Sequence, residues 1–154
     1  AGAKAILDLP ATLEYLETMG VPVVGYQTDK FPAFYSRESG LNVSVRLDSP
    51  KEIAGFAQAH WKLGMRSAVL VTNPVPEAES ISRSEMEPII SKASAEAIEK
   101  GIHGQALTPF LLSRISELTD GKSLRTNLAL LLNNARLAAK IAGEMKQSKR
   151  VKVI

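Results

Sequence analysis

The chain has 154 residues, of which 45% are hydrophobic and 23% charged, the balance of an ordinary globular domain. This length allows one domain with its own hydrophobic core and is too short for two. The sequence contains no cysteine, which excludes a disulfide framework, a thiolate metal site and a cysteine nucleophile. A chain without disulfides fits a reducing compartment, so a cytoplasmic location is expected, with an organellar one as the alternative.

Much of the net charge of +3 lies in the last nine residues, which include Lys146, Lys149, Arg150 and Lys152. Only 5% of the residues are aromatic, and no basic and aromatic side chains interleave to stack bases. We therefore expect no nucleic acid polymer as a partner, and we interpret residues 147–154 as a solvated basic tail that follows a domain at 1–146. The longest apolar run is too short to span a membrane, so no membrane partner is expected either.

Helix and strand signals alternate along the first part of the chain. Asp8 predicts the start of a helix that ends at Gly20, where a left-handed backbone is needed. Residues 21–26 predict a short strand, and residues 43–47 alternate between apolar and polar like a half-buried strand. The stretch between these two strands is predicted to be irregular because it contains Pro32 and no periodic apolar pattern.

The next elements are marked by serine or threonine caps. The capping box at Ser49 predicts a helix to about Leu63, and a buried strand is expected over residues 67–72. A second capping box at Ser84 predicts a helix that ends at Lys100. A fourth helix is expected to begin at the Thr108-Pro109 pair.

The last helix is predicted to begin at Ser123 and to be the longest. Its apolar residues recur at alternating spacings of four and three, which predicts a continuous buried stripe: Leu124, Leu128, Leu131, Ala135, Ala138, Ala142 and Met145. The fold class is therefore α/β, a three-layer α/β/α arrangement. About three strands are few for a covered sheet. We expect the other strands in an amino-terminal half that precedes residue 1, because the chain opens without methionine on an apolar segment.

Lys4 is a candidate nucleophile because Ala-Gly-Ala precedes it and Ile6 and Leu7 follow it. Small neighbours let a ligand approach the backbone, and apolar neighbours lower the pKa of an amine so that it can form a Schiff base. A lysine that points to solvent from a strand end explains the same residues, and the residues alone favour that alternative. Asp8 lies close enough in sequence to pair with Lys4, but capping the first helix is its commoner role.

Asn127 and Asn134 lie two turns apart on one face of the last helix, and a carboxamide offers the donors and acceptors that read a base such as uracil. A polar helix edge explains them as well. Asn73-Pro74 leaves the end of a predicted strand, where α/β folds bind ligands, although a rigid turn is an equal explanation. The only histidines, His60 and His103, lack ligand-like spacing.

Several segments in combination resemble the pseudouridine-5'-phosphate glycosidase family, also described as indigoidine-synthase-A-like proteins. They occur in the expected order over residues 1 to about 146: Ala1-Gly2-Ala3-Lys4, Ile6-Leu7-Asp8, Gly25-Tyr26-Gln27-Thr28, Phe31-Pro32-Ala33-Phe34, Arg46-Leu47-Asp48-Ser49, Asn73-Pro74, Pro76-Glu77, Thr108-Pro109-Phe110-Leu111-Leu112 and Asn133-Asn134-Ala135. This resemblance identifies the chain as the carboxy-terminal half of such a domain.

The resemblance implies a manganese-dependent homotrimer in nucleotide catabolism that cleaves the C–C glycosidic bond of pseudouridine 5'-phosphate to ribose 5-phosphate and uracil. In that family a lysine holds the ring-opened ribosyl unit as a Schiff-base adduct, and its position falls on Lys4. Asn127 matches a family asparagine near the uracil. The family's general-acid glutamate, phosphate-binding lysine and manganese-binding aspartate belong before residue 1, so this chain is expected to supply no metal ligand and to be inactive without the amino-terminal half. Two alternatives stay open: a non-catalytic interaction module of the same fold, and another Schiff-base sugar-phosphate enzyme such as an aldolase.

Overall fold

The computed structural model describes Ala3 and residues 6–148, with side chains up to Lys146. Within this part the helices are α1 (Leu9–Thr18), α2 (Pro50–Lys62), α3 (Arg83–Glu99), α4 (Leu107–Leu118) and α5 (Lys122–Ser148), and the strands are β1 (Val23–Tyr26), β2 (Val45–Leu47) and β3 (Leu70–Thr72). Short 3₁₀ turns occur at Glu77–Glu79 and Gly104–Ala106. No helix of the described residues combines the length and apolar composition that a membrane crossing requires.

The described strands form one parallel sheet in the order β2-β1-β3. Val24 lies opposite Val45 on one side and Val71 on the other, so β1 is the central strand. The α/β class predicted from the sequence is confirmed. Because all three strands run the same way, the segments that follow Tyr26, Leu47 and Thr72 leave the sheet at one common edge, here called the carboxyl edge.

The main helix–helix contacts form two pairs. α2 contacts α5, while α3 contacts α4 around a core that includes Tyr35, Ile81 and Met86. Glu96 of α3 and Arg114 of α4 join the second pair through two short hydrogen bonds, 2.6 and 3.0 Å long. The Arg114 guanidinium lowers the pKa of Glu96 and so keeps this link charged.

The helix signals before residue 100 are confirmed with small shifts. Asp8 and Ser49 cap α1 and α2 as predicted, and Ser49 and Glu52 form the reciprocal capping box. The cap of α3 is Ser82 rather than Ser84, so this helix begins at Arg83. The cap predicted at Thr108 is wrong: α4 begins at Leu107, directly after a 3₁₀ turn, with no side-chain cap.

The strand predicted over residues 67–72 is shorter and less buried than expected. β3 includes only Leu70–Thr72, and Thr72 is its one fully buried residue. The physical reason is position, since β3 is an outer strand of the described sheet and has β1 on only one side. The apolar side chains of β3 are therefore only partly buried in the described part of the fold.

The predicted buried stripe of α5 is also wrong. Leu124, Leu128 and Leu131 are 53%, 53% and 56% exposed, and the three alanines of the stripe are exposed too. The opposite side of the helix is buried instead, through Ser123, Thr126, Leu130 and Leu137. Periodicity identified an apolar face correctly, but in the described structure nothing covers it.

Candidate functional site

The segment that carries Lys4 leads directly into α1. Lys4 itself lies outside the described residues. Just after it, Ile6 packs against the core between α3 and α4. The Asp8 carboxylate accepts a hydrogen bond from the Ala11 amide at 3.0 Å, so its interpretation as a helix cap is confirmed. Asp8 therefore serves the helix, and Ile6 and Asp8 anchor the chain at the entry point of α1.

A groove of about 520 Å³ lies beside this entry point. Its lining residues include Leu7, Asp8, Ser39 and Arg83. Arg83 donates to the Ser39 carbonyl at 2.5 Å and to Glu87 at 2.6 Å, which holds its guanidinium in place. The groove thus combines a fixed cation with apolar walls, an arrangement suited to a small polar ligand.

Polar residues follow each strand at the carboxyl edge, the position where α/β folds bind ligands. Gln27 follows β1, Asp48 follows β2 and Asn73 follows β3. Gln27 has a left-handed backbone, with φ of 55°, and its side-chain amide donates to the Asp48 carbonyl at 3.1 Å. A non-glycine residue in this conformation is strained, and such residues concentrate at functional sites.

Gly25 permits this tight exit from β1. A Cβ on Gly25 would overlap the Thr28 carbonyl oxygen and press against the Val43 side chain. The chain therefore folds back over Gly25 at a distance that no other residue allows. The Gly-Tyr-Gln-Thr segment singled out in the sequence is thus a close-approach turn.

Ion pairs hold the segments after β1 and β2 together. Arg46 bonds to Asp48 at 2.8 Å and to Asp29 at 2.9 Å, with both carboxylates mostly exposed. These bonds, led by that to Asp48, raise the pKa of Arg46. The Ser49 hydroxyl and the Asp48 and Ser49 amides donate to Glu52 and lower its pKa. Arg46 is engaged with the two aspartates and Glu52 with the Ser49 cap, so these groups position the loops and do not act as free acids or bases.

Asparagines of α5 bind the segment after β3. The Asn73 side-chain amide donates to the Asn134 carbonyl oxygen at 3.2 Å, and the Asn133 amide donates to the Pro74 carbonyl at 3.0 Å. Asn73 is only 3% exposed. The sequence motifs Asn73-Pro74 and Asn133-Asn134, 60 positions apart, are therefore two sides of one contact, and Asn134 is a structural residue.

Asn127 is placed differently from Asn134. It lines an open groove of about 680 Å³ between α4 and α5, with Ser113, Ser116 and Asp120 among the other lining residues. Its side chain is half-buried and makes no hydrogen bond to another described residue. The Asn127 carboxamide is thus available to a ligand or to another polypeptide.

The histidines and an acidic pair on α1 are each either bonded within the fold or exposed. The His60 ring bonds to the Ser67 hydroxyl at 2.9 Å, and His103 is exposed. Glu14 and Glu17, a helical turn apart, are both on the exposed face of α1. Among the described residues no three histidine or acidic side chains come together to hold a metal ion. The described residues therefore do not fit manganese, and no chemical step is assigned to a metal here.

Two residues of note carried no signal in the sequence. Gln27 and Phe34 both have left-handed backbones, with φ of 55° and 62°, although neither is a residue type that favours this region. The Phe34 ring meets the Tyr35 ring edge-on, at 4.8 Å between centroids. Only the surrounding packing forces these conformations, so they were not predictable from local sequence.

The sequence matches known proteins of one family over nearly its whole length. The family model described as "Indigoidine synthase A like protein" matches residues 1–144. Curated relatives named pseudouridine-5'-phosphate glycosidase include those of Solibacter usitatus, 58% identical over 92% of this chain and 48% of the relative, and Geobacillus kaustophilus, 57% identical over 94% and 48%. The relative from Caldanaerobacter subterraneus subsp. tengcongensis is 54% identical over 94% and 47%.

Solved structures show the same relationship. The prealnumycin C-glycosynthase AlnA, in complex with ribulose 5-phosphate, superposes with a TM-score of 0.86 and 38% identity over 97% of this chain and 50% of AlnA. An indigoidine synthase A-like protein from Thermotoga maritima gives a TM-score of 0.83 at 40% identity, over 92% of this chain and 46% of that protein. The chain thus spans about half the length of the relatives that it matches.

Proposed function

The chain belongs to the indigoidine synthase A like family, and from this membership we propose that it forms the carboxy-terminal half of an enzyme that cleaves pseudouridine 5'-phosphate. The products are ribose 5-phosphate and uracil. The observation that carries the proposal is the 54–58% identity to relatives named for this activity, over more than nine-tenths of the chain. Residues outside this chain complete the active site.

The C-glycosynthase neighbour supports the chemistry at a coarser level. Its name, C-glycosynthase, describes formation of a C-glycosidic bond, and its bound ligand is a sugar phosphate. Both the substrate class and the type of bond therefore recur on this fold. The glycosidase direction is favoured for this chain because the named glycosidases share over half of its residues, whereas AlnA shares 38%.

Lys4 is the proposed nucleophile. Its neutral amine attacks C1' of the ribosyl unit as the C1'–O4' bond breaks and opens the ring. O4' takes up the proton that the amine loses, and the general acid of the amino-terminal half protonates uracil C5. The C1'–C5 bond then breaks, its electron pair stays with uracil, and the Lys4 nitrogen stabilises C1' as an iminium. Water hydrolyses this Schiff base, which releases ribose 5-phosphate and restores the amine. A C–C bond without a leaving heteroatom breaks only when a donor such as this nitrogen stabilises the carbon that loses the electron pair.

Asn127 is the proposed uracil contact. Its carboxamide carries both a donor and an acceptor, and in the described structure neither is used. The imide edge of uracil presents a donor beside an acceptor, the complementary pattern. A manganese ion and a homotrimeric assembly complete the proposal, with the metal ligands, the general acid and the phosphate-binding lysine in the amino-terminal half.

The direct experiment traps the covalent adduct. The two halves, combined as one enzyme, are incubated with ribose 5-phosphate and borohydride, and the adduct is mapped by mass spectrometry. Reduction is expected to fix a sugar phosphate on Lys4. An adduct on another lysine would reassign the nucleophile, and no adduct together with no turnover of pseudouridine 5'-phosphate would favour a non-catalytic module. Cleavage of a different sugar phosphate through Lys4 would favour an aldolase-type enzyme.

A further inference from the structure

The outer face of α5 carries a row of exposed apolar side chains. Leu124, Leu128 and Leu131, with Leu132 beside them, are each 53–58% exposed and are here called the leucine stripe. The row continues along the helix through three exposed alanines, Ala135, Ala138 and Ala142. Its alternating spacing of four and three places these residues on one line, the pattern of a helix that packs against a partner. Isolated exposed leucines are ordinary, but four on one helix face mark an interaction surface.

The leucine stripe is not the face that α5 uses inside this domain. Ser123, Thr126, Leu130 and Leu137 form the buried face, and α5 contacts α2 and α4. Hydrogen bonds fix the rotation of the helix, since Thr126 donates to the Glu79 carbonyl at 2.7 Å and Asn133 to the Pro74 carbonyl at 3.0 Å. Rotation of α5 about its axis to bury the leucines would break these bonds, so the hydrogen bonds keep the stripe facing outward.

We propose that the leucine stripe binds the amino-terminal half of the enzyme, the polypeptide that the relatives carry beyond the part matched here. This inference deepens the proposed function and rests on it for the identity of the partner. The chain spans 47–48% of its curated relatives, so a segment of similar length exists in them to cover this face. A helix that is apolar on two faces is typical of the interior of a larger fold.

The position of the stripe relative to Asn127 supports this occupant. Leu124 and Asn127 line the same groove between α4 and α5. A polypeptide seated on Leu124 and Leu128 therefore also covers the groove and encloses the Asn127 carboxamide. The inference predicts that the base-binding residue of this chain lies at the junction of the two halves, where the other half supplies the remaining catalytic groups.

A second copy of this chain is a weaker candidate. A stable interface buries about 800 Å² on each partner, and four half-exposed leucines on one helix supply much less than this. The amino-terminal half can cover the stripe and the adjoining groove together. In the relatives it also belongs to the same polypeptide, which raises its effective concentration at the stripe.

The test is association in trans. The chain is co-expressed with the tagged amino-terminal half of the Geobacillus kaustophilus relative, the segment ahead of the region matched here, and the complex is analysed by affinity capture and sedimentation. A 1:1 complex is expected. The double variant Leu128→Asp/Leu131→Asp is expected to weaken it roughly tenfold or more, because charge enters an apolar contact. The matched control is Ile98→Asp, which charges a residue of α3 that is 80% exposed and is expected to leave association unchanged.

The possible outcomes distinguish the binding role of the leucine stripe from the proposed cleavage activity. Both aspartate variants should keep the melting temperature of the isolated chain, since the substituted side chains are exposed. Failure to co-purify, or a complex that tolerates the double variant, overturns the inference. The inference is also overturned if the wild-type chain self-associates and the double variant abolishes this self-association, because the stripe then binds a second copy. A complex that depends on the stripe but does not cleave pseudouridine 5'-phosphate upholds the surface and contradicts the proposed function.

Discussion

The Asn134 carbonyl oxygen accepts a hydrogen bond from the buried side-chain amide of Asn73, at 3.2 Å, and this bond joins the middle of α5 to the end of β3. With the neighbouring Asn133–Pro74 bond, it fixes the long helix against the carboxyl edge of the sheet. The rotation of α5 that results directs Asn127 into the α4–α5 groove and turns the leucine stripe outward. Both the candidate site and the candidate interface therefore depend on this contact.

Removal of the Asn134 side chain is expected to destabilise the fold. Asn134→Ala leaves the Asn73 amide buried without a partner, which costs about 1–3 kcal/mol of unfolding free energy. Asn134→Asp is the matched control, because it keeps an acceptor oxygen and should lose less. Chemical denaturation of the three proteins measures the difference. Equal midpoints for Asn134→Ala and wild type would contradict a structural role for this bond.

Addition of one methyl group at Gly25 is expected to be costly. Gly25→Ala places a Cβ against the Thr28 carbonyl and Val43, which should destabilise the chain by about 3 kcal/mol and disturb the turn after β1. Gly55→Ala is the control, because Gly55 lies in α2 with open space where a Cβ would stand, and there the change should stabilise by about 0.5–1 kcal/mol. Thermal or urea unfolding tests both, and a neutral Gly25→Ala would refute the close approach.

Asn127→Ala is expected to affect activity and not stability. Because its side chain makes no hydrogen bond within the described structure, the unfolding free energy should stay within about 0.5 kcal/mol of wild type. In the assembled enzyme, kcat/KM for pseudouridine 5'-phosphate should fall by the equivalent of about 1–3 kcal/mol, the cost of an unpaired polar group on the base. An unchanged kcat/KM would make Asn127 a simple helix-edge residue.

Substitutions at Lys4 separate charge from nucleophilicity. Lys4→Ala and Lys4→Arg should both nearly abolish C–C cleavage in the assembled enzyme, since arginine keeps the charge but cannot deprotonate. Lys30→Arg is a useful control, because Lys30 binds the Asn42 side chain at 2.9 Å and is not proposed to act in catalysis. Full turnover by Lys4→Arg would exclude Lys4 as the residue that forms the Schiff base.

Tyr35 is expected to make the chain sensitive to alkali. Burial raises the pKa of its phenol from 10.0 to about 12, so the unfolded state releases this proton at lower pH than the folded state. The contribution of Tyr35 to stability is therefore complete below about pH 10 and is lost as the pH rises toward about 12. Tyr35→Phe should remove this dependence, whereas Tyr15→Phe should not, because Tyr15 is 64% exposed. Denaturation midpoints between about pH 9 and pH 12 measure the effect, and identical profiles for wild type and Tyr35→Phe would rule it out.

The elements that were predicted correctly have local causes. Asp8 and Ser49 cap the helices predicted from them, because a cap is a contact between residues three positions apart. The alternating pattern around Arg46 likewise gave a half-buried strand. The family resemblance, carried by motifs along the whole chain, gave Lys4 and Asn127 as candidates and is confirmed at the level of the family.

Features that depend on residues distant in sequence were not predictable from local patterns. Whether the apolar stripe of α5 is buried depends on what packs against it, and the periodicity of Leu124, Leu128 and Leu131 contains no information about the partner. The left-handed backbone of Gln27 arises from a turn that folds over Gly25. Asn134 bonds to Asn73, 61 positions away, whereas the Asn127 side chain bonds to no described residue, and the local sequence does not distinguish the two asparagines. Helix caps and apolar periods are properties of neighbouring residues, whereas burial and pairing are properties of the whole fold.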